Sequence, residues 1–155
     1  FSIGVSRKEP ILGTIQDTNQ QVWVLQGHTL IAVPRKPQVV PATIALIPCK
    51  YPDTLEKDRG NPIYLGLKEP ELCLICTKIR GKPTLQLKQN IMHLYHHTSM
   101  KFLFYHGQNG RTSTFESVAF PGWFIAGNSK GGAPLTITQE LGKAYTTDFG
   151  ITILG

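Results

Sequence analysis

A chain of 155 residues that is 41% apolar and 17% charged has the size and balance of one globular domain and is excluded from the disordered class. Its sixteen Lys and Arg outnumber ten Asp and Glu, a formal +6. The basic residues are nevertheless scattered, with Arg7–Lys8, Arg35–Lys36 and Lys78–Arg80 as the tightest groups, so no basic tract points to nucleic acid, and no apolar run nears the ~18 residues that membrane insertion requires.

The opening FSIGVSRKEP has no apolar h-region, which predicts a chain made in the cytoplasm without a signal peptide, or one whose precursor end has been removed. Short apolar alternations bounded by Gly, Pro, Asn and Asp then predict strands at Gly13–Asp17, Val22–Gln26 and Thr29–Val33, with Gly27–His28 as a tight hairpin turn. Further strands are expected at Thr43–Ile47, Ile63–Leu67, Glu71–Cys76 and Thr84–Lys88. The second half adds Lys101–His106, Ser113–Val118, Trp123–Ala126, Leu135–Thr138 and Asp148–Leu154. Eleven prolines and fifteen glycines argue against long helices, and Ile91–Tyr95 is the one helical-looking piece.

A weak internal repeat runs through these strands. A shift of 51 lays Leu67 on Val118, Pro70 on Pro121, Leu72 on Trp123 and Leu74 on Ile125, while a shift of 42 lays Leu30 on Leu72 and Ala32 on Leu74. Three units of roughly four strands each are what a pseudo-threefold closed β architecture leaves in a sequence. The expectation is a single all-β domain over residues 1–155.

Residues with chemical potential read better as structure. Cys73 and Cys76 form a CxxC within a strand pattern, where residues three apart face opposite sides, so a shared metal or disulfide is disfavoured. With Cys49 they make three cysteines, too few for a disulfide framework and consistent with synthesis in a reducing compartment. His93, His96 and His97 have no accompanying HExxH glutamate. Ser99, Ser113 and Ser117 lie outside any G-x-S-x-G, and no phosphate-binding glycine loop is present. Phe102, Phe104, Phe115, Phe120, Trp123, Phe124 and Phe149 read mainly as core, with Phe120–Trp123 as a packed corner. No enzyme, metal or cofactor is expected, and the residues alone imply a basic all-β binding domain.

One stretch carries a family resemblance. STFESVAFPGWFIA (Ser113–Ala126) resembles the signature of the interleukin-1 family, which joins F-E-S to P-G-W-[FY]-[IL]. QQVWVLQ (Gln20–Gln26), LIAVPRK (Leu30–Lys36), LEKDRGNPIYLGL (Leu55–Leu67), PTLQLK (Pro83–Lys88), NIMHLY (Asn90–Tyr95), FLFYH (Phe102–His106), TITQELG (Thr136–Gly142) and TTDFG (Thr146–Gly150) are similar to the interleukin-36 branch, from about Ile15 to Phe149. The segment Leu94–His106 departs from it, lacking the PEPVK-like insertion usual in the alpha and gamma members.

The resemblance implies a β-trefoil of about twelve strands and a secreted, pro-inflammatory cytokine acting as a monomer. It implies binding to the interleukin-36 receptor, recruitment of the interleukin-1 receptor accessory protein, and activation of NF-κB and MAP kinase signalling. Two contact regions carry over by position: Lys50–Asn61, with Lys50, Tyr51, Glu56, Lys57, Asp58, Arg59 and Asn61, and Gln139–Asp148, with Gln139, Glu140, Lys143, Tyr145 and Asp148. The family's aliphatic-x-Asp landmark matches Ile15–Asp17, which places a trimmed, active N-terminus at Ser6 and makes residues 1–5 surplus. The long Lys50–Pro62 loop looks like the agonists of the branch, whereas Thr-Asp-Phe at Thr147–Phe149 is shared with its antagonist. A receptor antagonist of the same branch, or a heparin-binding trefoil using Lys78 and Arg80, are the alternatives.

Overall fold

The computed structural model describes residues 10–49, 57–69, 71–89, 99–141 and 144–154. Period-two alternation organises the chain throughout. In β1 (Ile11–Asp17) it produces inward residues Gly13, Ile15 and Asp17. The remaining strands are β2 (Gln21–Gln26), β3 (Thr29–Pro34), β4 (Ile44–Pro48), β5 (Asn61–Leu67), β6 (Leu72–Ile79) and β7 (Lys82–Gln89). They are followed by β8 (Leu103–Asn109), β9 (Thr112–Ser117), β10 (Phe124–Asn128), β11 (Thr136–Thr138), β12 (Tyr145–Thr146) and β13 (Phe149–Ile153). Only two 3-10 turns, Lys57–Arg59 and Met100–Phe102, interrupt the strands among the described residues. No described helix is long and apolar enough to cross a membrane.

The strand pairings close a ring. β1 pairs β4, β4 pairs β5, β5 pairs β8, β8 pairs β9, β9 pairs β13, and β13 returns to β1. Three hairpins, β2–β3, β6–β7 and β10–β11, hang from this barrel. A closed barrel with three hairpins is a β-trefoil, with the barrel's edges removed by closure. Among the described residues the count exceeds the expected twelve by β12, a two-residue strand that pairs with β10.

The ring also corrects the repeat. β1, β5 and β9 begin at Ile11, Asn61 and Thr112, so an offset of about fifty relates all three units, as the shift of 51 has it. The shift of 42 lays β3 on β6, whereas the counterpart of β6 by place in the ring is β2. The slip arises because the antiparallel strands of one hairpin share the same alternation and superpose on β6 equally well. Leu67 and Val118 also part company, since they pack in different clusters.

The main cluster gathers side chains from all three units: Ile15, Trp23, Leu30 and Ile44; Leu65, Leu74, Cys76 and Phe104; Phe115, Ile125, Ile137 and Phe149. At its centre, Trp23 meets Phe149 edge-on at 5.1 Å and Phe115 at 6.2 Å, and Phe115 lies 6.2 Å from Phe149. Aromatic groups tilted in this way bury large apolar area with favourable ring electrostatics. Phe104, Phe115 and Phe149 are fully buried, while Phe102, Phe120, Trp123 and Phe124 are half-buried.

Candidate docking loops

The two segments expected to touch a receptor rejoin the ring on β5 and β13, the strands that flank the β8–β9 pair. The chain from β4 re-enters the ring at Asn61, which pairs with His106 on β8. The chain from β11 re-enters at Phe149, which pairs with Ser113 on β9. His106 Nε2 and Ser113 Oγ lie 2.8 Å apart, so one side-chain contact across β8 and β9 links the bases of the two segments. The His106 ring also stacks on Phe115 at 5.2 Å, and burial pushes its pKa below the ordinary histidine value. Sequence inspection missed this pair, because Ser113 and His106 are seven residues apart and meet only through the hairpin register.

Of the residues expected in the first segment, Asp58, Arg59 and Asn61 are exposed, and Lys57 lies in the 3-10 turn Lys57–Arg59. Lys50, Tyr51 and Glu56 lie outside the described residues. The Arg59 guanidinium donates to Glu116 Oε2 on β9, and the Gly122 amide donates to the same oxygen at 2.7 Å. Gly60 follows with φ +126 and presses against the backbone of β8: a Cβ there would lie 2.6 Å from the His106 carbonyl oxygen. Only glycine enters this conformation without strain.

In the second segment, Gln139, Glu140 and Asp148 are exposed and Tyr145 is half-buried, whereas Lys143 lies outside the described residues. The segment is more ordered than a free loop. The Thr138 hydroxyl accepts from the Glu140 amide at 3.0 Å, the Ser129 amide donates to the Ala144 carbonyl at 3.1 Å, and Tyr145–Thr146 pair with Asn128–Gly127. Leu141 protrudes from it, 56% exposed.

The landmark residues have structural duties. Ile15 is fully buried in the main cluster, and Asp17 caps the β1–β2 turn. Asp17 Oδ1 accepts from the amides of Asn19 and Gln21 at 2.8 and 3.0 Å, and Oδ2 accepts from Gln21 Nε2 at 2.9 Å. Gln21 Nε2 reaches on to the Asn128 carbonyl at 3.3 Å, tying the first unit to the third. Ser6 lies outside the described residues.

The F-E-S and P-G-W elements form one corner. Phe115 enters the core, Glu116 holds Gly122, and Ser117 Oγ accepts from the Phe120 amide at 3.0 Å. The Ser117 amide donates to the Trp123 carbonyl at 2.8 Å, and the Trp123 amide donates to that of Phe120 at 3.1 Å. Gly122 supplies the left-handed φ of +88 that the turn needs. Phe120 and Trp123 pack against the main cluster, so the corner is the packed turn expected from sequence.

Cys49, Cys73 and Cys76 are all buried. Cys76 joins the main cluster and Cys73 faces the other side of β6, as alternation requires; burial pushes the Cys73 thiol up to about 12. Among the described residues no group of three His, Cys, Asp or Glu could hold a metal ion. His93, His96, His97 and the Ile91–Tyr95 piece lie outside the described residues. Lys78 and Arg80 are exposed at the β6–β7 hairpin.

The family model described as Interleukin-1 / 18 matches residues 49–151. Human Interleukin-36 alpha is 65% identical over 148 residues, covering 94% of this chain and 94% of the relative. Mouse Interleukin-36 alpha is 53% identical, covering 94% and 92%. An NMR structure of the pro-inflammatory cytokine interleukin-36alpha superposes with a TM-score of 0.80 at 63% identity, covering 96% of each chain. The crystal structure of chicken cytokine interleukin 1 beta gives 0.78 at 25% identity, covering 93% of this chain and 96% of that one. With the trefoil and the signature corner on the same chain, these likenesses make it a member of the interleukin-1 family of cytokines, in the interleukin-36 branch, and not an enzyme.

Proposed function

We propose that the chain is a pro-inflammatory agonist that acts outside the cell. It docks on the interleukin-36 receptor, then recruits the interleukin-1 receptor accessory protein and thereby activates NF-κB and MAP kinase signalling. The observation that carries the reading is 65% identity to human Interleukin-36 alpha over nearly the whole length of both chains. No bond is made or broken: a cytokine works by surface complementarity that brings two receptors together. The surface proposed is Lys50–Asn61 together with Gln139–Asp148, whose bases are linked through the His106–Ser113 contact. The long Lys50–Pro62 segment favours agonism over antagonism.

The test is the chain trimmed to begin at Ser6, applied to reporter cells carrying both receptors. Activation is the expected result. Binding without activation would make the chain an antagonist, and absence of binding would overturn the reading. Asp148→Lys should preserve receptor binding and weaken accessory-protein recruitment, because Asp148 is exposed immediately before β13 and a charge reversal at an interface opposes association.

A further inference from the structure

We infer that Glu116 and Arg59 form a positioning clamp that fixes the described end of the first segment, residues 57–61, where it rejoins the barrel, so that Arg59 serves docking through Glu116. The inference rests on the docking role proposed above for that segment. Glu116 lies on β9, in the third unit, and its side chain is only 8% exposed, whereas the Arg59 side chain is 38% exposed. The carboxylate accepts from Arg59 of the first segment and from the Gly122 amide of the Phe120–Trp123 corner, both on Oε2. A buried carboxylate holds its partners firmly, because losing one leaves a charge that water cannot reach.

The clamp acts on a segment with little freedom at that end. Gly60 fits against the His106 backbone only without a side chain, and Asn61 is already in the ladder with His106. Arg59 therefore ends the Lys57–Arg59 turn just before a fixed ladder, and its bond to Glu116 orients that turn against β9. Position 116 is a glutamate because the same oxygen must accept a backbone amide and a guanidinium. Asp58 is exposed beside Arg59 in the same turn.

The full 155-residue chain, isotopically labelled, provides the test. Arg59→Ala, Glu116→Gln, the double variant and Arg59→Lys are compared for affinity to the ectodomains of the two receptors, for thermal midpoint, and for the amide resonances of Asp58, Gly60 and Gly122. Glu116→Gln keeps an acceptor for Gly122, so the corner stays folded, but removes the negative charge that pairs with the Arg59 guanidinium. Each single variant should weaken binding by about tenfold, and the double variant by no more than either alone, since coupled partners are not additive. Arg59→Lys should recover part of the loss. Parent-like binding by Glu116→Gln, or losses that multiply in the double variant, would overturn the clamp and make Arg59 a direct contact. Failure of the parent to bind, both at full length and when trimmed to begin at Ser6, would instead defeat the docking reading. The clamp would then be judged on resonances alone: Asp58 and Gly60 amides unmoved in Glu116→Gln would sink it.

Discussion

His106 and Ser113 occupy diagonal positions on β8 and β9, with Nε2 and Oγ 2.8 Å apart, and they stand between the two points where the segments proposed to dock rejoin the barrel. The ring is half-buried and stacked on Phe115, and burial lowers its pKa from the ordinary 6.5. A depressed histidine pKa means that the unfolded chain takes up a proton more readily than the folded one. This group's contribution is therefore complete above pH 6.5 and is lost as the pH falls below it. His106→Gln should flatten the stability profile as the pH falls below 6.5 relative to the parent, measured by urea unfolding at each pH. Parallel profiles for the two proteins would remove His106 from the titration.

Asp17 is the second measurable point. Its carboxylate accepts three hydrogen bonds inside the β1–β2 turn, so Asp17→Ala should cost about 3 kcal/mol, through buried donors left without acceptors. Asp17→Asn keeps an acceptor and should cost less. Guanidinium unfolding gives both numbers, and equal stability of parent and alanine variant would contradict the capping role.

Gly60→Ala places a methyl group 2.6 Å from the His106 carbonyl oxygen at a backbone φ of +126. A loss of about 2 kcal/mol or more is expected from the combined strain and contact. Gly27→Ala offers the control: its φ is +66 but nothing lies within 4 Å of the added carbon, so about 1 kcal/mol should suffice. The unfolding midpoints of the two variants should rank in that order.

Cys73 and Cys76 should resist alkylation by iodoacetamide at pH 8 in the folded chain and react once it is unfolded. Both are buried, and the Cys73 thiol is pushed up to about 12, which leaves almost no thiolate. Mass spectrometry of the alkylated native protein checks this; rapid modification of either residue would refute it.

The strands were legible from the sequence because alternation and turn residues are local signals. The Gly27–His28 hairpin and the Phe120–Trp123 corner fall where those signals place them. β12 was not, since Tyr145–Thr146 owe their extended pairing to Asn128 and Gly127 rather than to any pattern of their own. Trp23, which reads as one strand residue among others, is the ring around which Phe115 and Phe149 are arranged. Arg59–Glu116 and His106–Ser113 were equally hidden, since both depend on which strands become neighbours in the closed ring.

Ring closure by β1 and β13 also governs how the molecule must be made. Gly13 faces Ile153 and Ile15 faces Ile151, partners separated by nearly the whole polypeptide. During synthesis the earliest strand waits for the latest, and the barrel cannot shut until the ribosome has released β13. Until then β1 and β9 each present an unpaired edge, the form in which extended chains find one another and aggregate. For a protein built this way, the most vulnerable interval comes before folding finishes, when a chaperone covering β1 would do most good.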